Sequence, residues 1–557
     1  MGYFFGQSVF GKKVGDRPFS LMLALMLVGG QIFAGCSRGP QVETGVPAPE
    51  GDVAVMESAQ APMPTAAAPD AELAPPLEPS QERDLSQEDY NLIEDNPFFL
   101  AQTEPLSTFA IDVDTAAYSN VRRFLNDGML PPPDAVRIEE LINYFSYDYA
   151  EPTGDRPFAI NTEVATAPWQ PAHRLVRIGL QGEKIDSEAL PPNNLVFLFD
   201  VSGSMNDPDK LPLLKSGFRL LINELRPEDR ISIVVYAGAA GLVLPPTSGA
   251  EKDTILAALE KLEAGGSTAG GEGIELAYEQ AAENFIKDGN NRVILATDGD
   301  FNVGMSNDAA LVRLIEEKRE QDIFLTVLGF GSGNLKDAKM EQLANNGNGN
   351  YAYIDSILEA KKVLVTEMGG TLLTLAKDVK IQVEFNPNVV QAYRLIGYEN
   401  RLLAAQDFND DTKDAGELGA GHQVTALYEV VPVGVDSPIA LPEVDALKYQ
   451  ETAATTSDFS GELMQLKLRY KQPTGDESQL ITTAIANQTQ SWQETSDNFK
   501  FAAAVAEFGM LLRESEYRGE SNFDQVIELA QSAKGSDLEG YRSEFIQLAR
   551  TAQALKF

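Results

Sequence analysis

Residues 193 to 375 alternate short apolar runs with amphipathic stretches, and this pattern restricts the possible folds more than any other feature of the chain. The apolar runs predict strands at residues 195–199 and in the segments RISIVVYA, GLVLPP, NRVILATD, IFLTVLGFG and NYAYID. The stretch after the first strand carries an apolar stripe with helical spacing. Its members are Leu214, Phe218, Leu221, Ile222 and Leu225. Apolar strands that alternate with amphipathic helices favour an α/β fold, a doubly wound and mostly parallel sheet with both faces covered.

Three polar clusters in this region follow the ends of predicted strands or helices. They are Asp200-Val201-Ser202-Gly203-Ser204, then Gly265-Gly266-Ser267-Thr268, and then Asp298-Gly299-Asp300. In doubly wound folds the functional loops lie at the carboxyl ends of the strands, so we expect the three clusters to meet. They offer carboxylate and hydroxyl oxygens without cysteine or histidine, a ligand set that suits Mg²⁺ or Mn²⁺ and is poor for zinc.

The same residues resemble the metal-ion-dependent adhesion site of the von Willebrand factor A domain. Its Asp-x-Ser-x-Ser motif matches Asp200, Ser202 and Ser204, and its later threonine and aspartate match Thr268 and Asp298. The resemblance implies that the hydroxyl groups bind the metal, that the two aspartates hold it directly or through water, and that a protein partner supplies a carboxylate at the open position. With two aspartates against a divalent cation, the site would be nearly neutral and could attract that carboxylate.

Three other interpretations of the cluster at Asp200 stay open. A serine hydrolase needs a histidine base, but the chain has two histidines, His173 and His422, and both lie outside residues 193 to 375. The segment DVSGS also differs from the Gly-x-Ser-x-Gly elbow. The remaining interpretations are an A domain that has lost its metal and a tight turn without a ligand. We expect a binding protein and not an enzyme.

The first 36 residues resemble a bacterial lipoprotein signal. Lys12, Lys13 and Arg17 precede an apolar stretch, which ends at Phe33-Ala34-Gly35-Cys36. Cys36 is the one cysteine of the chain, so we expect it to be lipidated and to be the first residue of the mature chain once residues 1–35 are removed, with an ordinary signal peptide as the alternative. This predicts an exported protein that is anchored to a membrane of the cell envelope, and Ser37 favours the outer membrane on its periplasmic side. Residues 36–95, rich in Pro, Ala and Glu, predict a disordered tether.

The net charge of −39 argues against a nucleic-acid partner, because phosphates would repel such a chain. It favours cations and basic partners instead.

Regions on both sides of the α/β region predict a β-rich body and a helical end. Residues 103–190 begin with helical patterns and continue into alternating strands, and residues 377–475 alternate in the same period of two. We expect these two strand sets to pack together, with the A domain inserted between them. Residues 495–557 are predicted to be helical, with three helices in the segments NFKFAAAVAEFGMLLRES, FDQVIELAQSAK and GYRSEFIQLARTAQAL.

The whole arrangement is similar to the bacterial YfbK-like family of A-domain lipoproteins. The resemblance runs from STFAIDVDTAAYSNVRRFL, through the A domain, to DFNDDTKDAGELGAGHQVTALYEVVP and FAAAVAEFGMLLRES. It implies the architecture, export and the metal site, and it leaves the partner open.

Two further acidic segments need an interpretation. Asp112-Val113-Asp114-Thr115-Ala116 partly matches an aspartyl phosphatase motif, but Ala116 breaks the pattern, and a capped turn from strand to helix is expected. Residues 407–422 lack the glycine and glutamate of a calcium-binding EF-hand, so they predict a solvated acidic loop, with a second cation site as the alternative.

Three functions follow from these observations. The first is a lipid-anchored envelope protein that binds a protein partner through the metal. The alternatives are a structural assembly factor with an incidental metal and an envelope hydrolase.

Overall fold

The computed structural model describes most of the chain beyond residue 87. The described residues are 88–154, 156–186, 189–266, 270–299, 308–367, 373–413, 415–437, 439, 441 and 459–556. They belong to one compact unit, which spans Ser80–Phe557. The predicted signal peptide, Cys36 and most of the predicted tether lie outside them, as does Thr268. In this part of the chain, no helix has both the length and the apolar character needed to span a membrane.

The predicted tether ends earlier than its composition indicates. Glu88 accepts hydrogen bonds of 2.9 Å from the buried guanidinium of Arg123, and the backbone of Asp89 pairs with Lys336. The backbone N–H of Ile93 donates to Asp134. Residues 88–95 are therefore held on the folded unit, because specific ion pairs and hydrogen bonds supply what the low apolar content does not.

The α/β region forms a six-stranded sheet in the order β10-β9-β8-β5-β6-β7, parallel except for β7. Its strands are β5 (Asn193–Asp200), β6 (Arg230–Tyr236), β7 (Ala240–Ser248), β8 (Asn290–Thr297), β9 (Ile323–Phe330) and β10 (Tyr351–Ile354). All eight residues of β5 and all eight of β8 are buried, as expected for strands that are covered on both faces. The predicted doubly wound sheet is confirmed.

Helices cover both faces of this sheet. They are α3 (Leu211–Glu224), α4 (Lys252–Glu260), α5 (Gly270–Glu283), α6 (Asp308–Arg319), α7 (Asp337–Asn346) and α8 (Ile357–Lys361). One apolar core lies under α3, α4 and α8, and it contains the predicted stripe from Leu214 to Leu225. A second core lies under α5, α6 and α7 on the opposite face. A short π-helix, Lys362–Thr366, follows α8.

Two antiparallel sheets form the β body. The first has the order β1-β12-β14-β4-β3, and the second has the order β13-β11-β15-β16, with β2 also paired to β11. The strands before the A domain are β1 (Phe99–Leu100), β2 (Leu106–Ala110), β3 (Phe158–Ala167) and β4 (Gln170–Gly182). Those after it are β11 (Thr374–Phe385), β12 (Val390–Ile396), β13 (Leu418–Gly419), β14 (Gln423–Pro432), β15 (Glu462–Lys471) and β16 (Ser478–Ala486).

The predicted pairing of the two strand sets is confirmed. β14 pairs with β4 from Gln423↔Gln181 to Val430↔Arg174, and β11 pairs with β2 from Lys380↔Ala110 to Glu384↔Leu106. A shared apolar core between the two sheets includes Phe109, Ile178 and Val383. The A domain is thus inserted into a β body that is built from both halves of the chain.

A helical layer covers the other face of the first sheet. It consists of α1 (Ala116–Asn126), α2 (Ile138–Asn143) and the three predicted C-terminal helices, α9 (Asp497–Leu512), α10 (Phe523–Ser532) and α11 (Tyr541–Lys556). Nearly every side chain of α9 is buried, including positions on all sides of the helix. Such a helix is a core element and not a surface one.

Candidate metal site

Asp200 is the last residue of β5. It is fully buried, and both of its carboxylate oxygens accept hydrogen bonds. Its Oδ1 accepts from the backbone N–H of Ser202 at 2.8 Å. Its Oδ2 accepts from the hydroxyl groups of Tyr236 at 3.0 Å and Thr297 at 3.3 Å. Burial raises the pKa of Asp200 to about 6, and the hydrogen bonds from Ser202 oppose that rise. The carboxylate of Asp200 is thus fixed next to the loop that carries Ser202 and Ser204.

Ser202 and Ser204 present two hydroxyl oxygens side by side. Their Oγ atoms lie 3.0 Å apart, with Ser202 buried and Ser204 exposed. In an octahedral Mg²⁺ site with ligands at about 2.1 Å, neighbouring ligand oxygens lie about 3 Å apart. The two hydroxyls therefore fit adjacent positions around one small, hard cation, and Asp200 is placed to support them from behind.

The second predicted loop lies against the first. The backbone N–H of Gly265 donates to the carbonyl of Val201 at 2.8 Å, and the N–H of Gly203 donates to the carbonyl of Gly266 at 3.1 Å. These bonds bring residues 265–266 to the Asp200 loop. Thr268 comes two residues later, outside the described residues.

Asp298 follows β8, the strand that pairs with β5, and is also buried. Its Oδ2 lies 3.0 Å from the Nζ atom of Lys210, a residue that directly precedes α3. Lys210 was not among the predicted site residues. Its place in the sequence gives no indication of its partner, because 88 residues separate the two. The nearly neutral site expected from two aspartates therefore has an additional positive charge.

A different carboxylate cluster lies between the A domain and α2, and the sequence patterns did not indicate it. Oxygens of Asp114, Glu140 and Glu341 lie within 4.8 Å of one another, and all three residues are buried. Arg137 bonds to Glu140, and Arg401 lies 3.4 Å from Asp114 and 2.8 Å from Glu341. Guanidinium groups thus already supply positive charge to this cluster.

The expected cap on the turn after β2 takes another form. Thr115 precedes α1 but makes no side-chain capping bond. Asp114 accepts instead from the backbone N–H of Tyr351 at 2.7 Å, at the start of β10, and Glu140 accepts from the N–H of Ala117 at 2.8 Å. The first turn of α1 is therefore capped by a neighbouring helix, a contact that local sequence cannot encode.

The acidic loop at residues 407–422 is held by two lysines. Lys380 donates to the carbonyl oxygens of Asp407 at 3.2 Å and Asp410 at 2.5 Å. Lys471 donates to the carbonyl of Asp411 at 2.7 Å and to Asp378 at the same distance. Ammonium groups thus supply positive charge next to this acidic loop.

His173 joins two residues that are distant in sequence. In β4, its Nδ1 lies 2.6 Å from Oε1 of Glu429, and its Nε2 lies 3.0 Å from Oγ of Ser437. Burial opposes ionisation of Glu429, but Arg394 and His173 lower the pKa of its carboxyl below the ordinary value. Next to the carboxylate of Glu429, Nδ1 of His173 is the donor of their hydrogen bond. The sequence patterns did not indicate this serine–histidine–glutamate arrangement, because Glu429 and Ser437 follow His173 by 256 and 264 residues.

Comparisons with known proteins agree with this architecture. The von Willebrand factor type A domain family matches residues 194–365, the family described as "von Willebrand factor" matches residues 84–177, and the family described as "Uncharacterized protein YfbK, C-terminal" matches residues 370–555.

Relatives extend the similarity along the chain. The protein called "Uncharacterized protein YfbK" of Escherichia coli (strain K12) is 45% identical over 474 residues, which cover 84% of this chain and 81% of that protein. The protein called "Uncharacterized protein sll0103" of Synechocystis sp. is 31% identical over 189 residues, 34% of this chain and 44% of that protein. A solved structure of a von Willebrand factor type A protein from Catenulispora acidiphila covers 71% of this chain and 89% of its own, at 15% identity and a TM-score of 0.37. Because the E. coli protein matches across the A domain and both flanking regions, the chain belongs to the YfbK family and contains a von Willebrand factor type A domain.

Proposed function

We propose that this protein binds a protein partner through Mg²⁺ or Mn²⁺ at Asp200, Ser202, Ser204, Thr268 and Asp298. The observation that carries the proposal is the 3.0 Å separation of the Ser202 and Ser204 hydroxyl oxygens in front of the buried Asp200. The two hydroxyls and Thr268 would hold the ion, and Asp200 and Asp298 would balance its charge. When bound, the ion supplies a Lewis acid that attracts a carboxylate of the partner. Binding, and not catalysis, is the proposed role.

The proposed location is the cell envelope, with a lipid anchor at Cys36 and the folded unit on the periplasmic side of the outer membrane. The signal-like residues 1–35 and the single cysteine support this location. Replacement of Cys36 by alanine should abolish the labelling of the protein by radioactive palmitate in cells. A variant that is still labelled would place the lipid at another residue.

Calorimetric titration with MgCl₂ tests the metal site. The wild type should bind one Mg²⁺, and Ser204→Ala should weaken binding by at least about tenfold, in line with losses seen when metal-site groups are removed. Ser204 is exposed, so its replacement should leave the fold intact. Ser216→Ala in α3, whose hydroxyl bonds to the carbonyl of Pro212, is the matched control and should titrate like the wild type. The absence of heat from the wild type would rule out the site.

A pull-down from envelope extract tests the partner. Capture should require Mg²⁺, fail with a chelator and fail with Asp200→Ala. If the partner is captured equally well with the chelator and with Asp200→Ala, the result would favour the assembly-factor alternative, in which the metal is incidental. That alternative also predicts that an Asp200→Ala strain behaves like the wild type while a deletion strain does not.

A second candidate function, hydrolysis of an acyl ester, is favoured by one observation, the contacts of His173 with Ser437 and Glu429. A serine hydroxyl next to a histidine that a carboxylate orients is the arrangement of an activated nucleophile. The same contacts would also anchor the segment after β14, because His173 is fully buried beneath it. Binding at the metal site remains the first proposal.

A fluorophosphonate probe separates these two roles of Ser437. A hydrolase would be labelled at Ser437, as located by mass spectrometry, and Ser437→Ala and His173→Gln would each abolish the label. Ser491→Ala serves as the control, because Ser491 lies outside the metal site and outside the contacts of His173. An absence of label from the folded wild type would leave His173 as an anchoring residue.

A further inference from the structure

Lys210 places an ammonium group inside the candidate metal site. Its side chain is 8% exposed, and its Nζ atom lies 3.0 Å from Oδ2 of Asp298. Asp207 is 3.9 Å away but is 68% exposed, on the rim of the site. A lysine pays a considerable desolvation cost when it is buried, so this position is held by its ion pair with Asp298.

A glycine in the loop after β9 makes room for the lysine side chain. Gly331 follows β9 and has φ of +74°, a conformation that favours glycine. A Cβ atom at that position would lie 2.3 Å from Cε of Lys210 and 2.6 Å from its Cγ. The stem of Lys210 thus lies against bare backbone, and any side chain at residue 331 would displace it. Two contacts thus fix the position of the lysine: Asp298 pairs with its ammonium group, and the backbone of Gly331 packs against its stem.

The lysine changes the charge that a metal would meet. Asp200 and Asp298 contribute two negative charges, and Lys210 contributes one positive charge, so this buried group is −1 before a metal binds. A divalent cation would bring it to +1, whereas two aspartates alone would bring it to zero. Charges a few ångströms apart away from bulk water interact strongly enough for this difference to affect binding.

We propose that Lys210 is the residue that makes this site select an anionic ligand. It rests on the proposed function, since it assigns a role within the same metal site. In the absence of a metal, Lys210 forms an ion pair with Asp298. This ion pair competes with the divalent cation and weakens its binding. When the metal is bound, the positive charge of Lys210 gives the group a net charge of +1. This net charge strengthens the binding of a carboxylate relative to a neutral oxygen ligand. One residue therefore has opposite effects on the two binding steps.

Mn²⁺ and acetate are suitable probes for the two steps. Free Mn²⁺ is measured by its paramagnetic resonance signal, which gives the metal affinity. Acetate is then titrated into the Mn²⁺-loaded protein, and its binding is followed as it displaces water from the ion and lowers the proton relaxation rate. Both measurements use the full folded chain, and thermal melting confirms the fold of each variant.

Lys210→Met should tighten Mn²⁺ binding by roughly tenfold and weaken acetate binding by a similar factor, as removal of one nearby charge predicts. Lys210→Arg, which keeps the charge, should stay closer to the wild type in both. Lys215→Met is the matched control: Lys215 lies in α3, the helix that follows Lys210, but it bonds to the carbonyls of Glu260 and Leu262, and its replacement changes the net charge equally. It should alter neither affinity.

Gly331→Ala provides an independent variant, because it displaces the lysine without removing its charge from the chain. It should shift both affinities in the same directions as Lys210→Met. If Lys210→Met weakens both steps, the lysine is structural and the inference fails. If it changes neither, the inference also fails while the metal site stands. A wild type that binds no Mn²⁺ overturns the proposed function and this inference with it.

Discussion

Glu507 is a carboxyl group in the apolar helical layer, and it shows how a single residue can make stability depend on pH. It lies in α9 and is fully buried, and neither of its side-chain oxygens has a hydrogen-bond partner among the described residues. Burial raises the pKa of Glu507 well above its ordinary value. The folded protein therefore keeps this proton at a pH where the unfolded chain has released it.

The sign of the effect follows from linkage. Because the folded state binds the proton more tightly, the stabilising difference is full below the unfolded pKa and is lost as pH rises toward the folded pKa. We expect the free energy of unfolding to fall with pH by up to about 1.4 kcal/mol per unit above pH 4.5 through this residue. Glu507→Gln, which keeps the shape without the charge, should remove that slope.

Urea denaturation at pH 4.5 and pH 7.5 measures this prediction. The variant and the wild type should be similar at the lower pH, and the variant should be more stable at the higher pH. Glu528→Gln, at an exposed position of α10, is the control and should follow the wild type. An equal pH dependence in wild type and Glu507→Gln would contradict the assignment.

At the scale of elements, Arg122 of α1 connects three parts of the fold. Its guanidinium bonds to Asp355 at 2.5 and 2.7 Å, directly after β10, and to Glu359 of α8 at 2.7 Å. It also bonds to Tyr144 and to Glu544 of α11, both at 3.0 Å. One buried side chain thus ties the end of the A domain to the helical layer.

Arg122→Met should lower the free energy of unfolding by about 3–5 kcal/mol, because it leaves buried carboxylates without their counter-charge. Glu544→Gln removes a partner that is 34% exposed and should cost less than about 1 kcal/mol. Urea denaturation of the two variants tests the contrast. Similar losses in both variants would contradict the assignment of this stability to the buried partners of Arg122.

At the scale of the whole molecule, the inserted A domain is the part that is most nearly self-sufficient. Its six strands pair with one another, and its two cores consist of its own residues with the exception of Ala116 from α1. The C-terminal segment, in contrast, leaves β14 and β11 without β4 and β2 when it is separated from residues 88–190. Such open sheet edges favour aggregation.

The fragment 190–367 should therefore fold alone, and the fragment 373–556 should not. Circular dichroism and thermal melting should show a cooperative transition for the first fragment. The second should become soluble when residues 88–190 are co-expressed with it. A cooperative transition from residues 373–556 alone would contradict the shared β body.

Local patterns were enough to predict much of this fold. The strands of the A domain and the three C-terminal helices lie within a few residues of their predicted bounds. Their periodicity is a property of neighbouring residues, so it can be recognised without knowing where the chain returns. The Asp200 loop was predicted for the same reason, because Asp200, Ser202 and Ser204 are two residues apart and follow a strand end.

The sequence by itself therefore determined the doubly wound sheet, the helical end and the hydroxyl pair of Ser202 and Ser204. Only the tertiary structure decided that Lys210 neutralises Asp298, that Arg122 joins α8 to α11 and that His173 meets Ser437. Each of these contacts joins residues far apart in the chain, and charge or hydrogen-bonding capacity alone does not specify a partner. The physical reason is that periodicity encodes which face of an element is buried, whereas the pairing of polar groups depends on which elements the completed fold brings together.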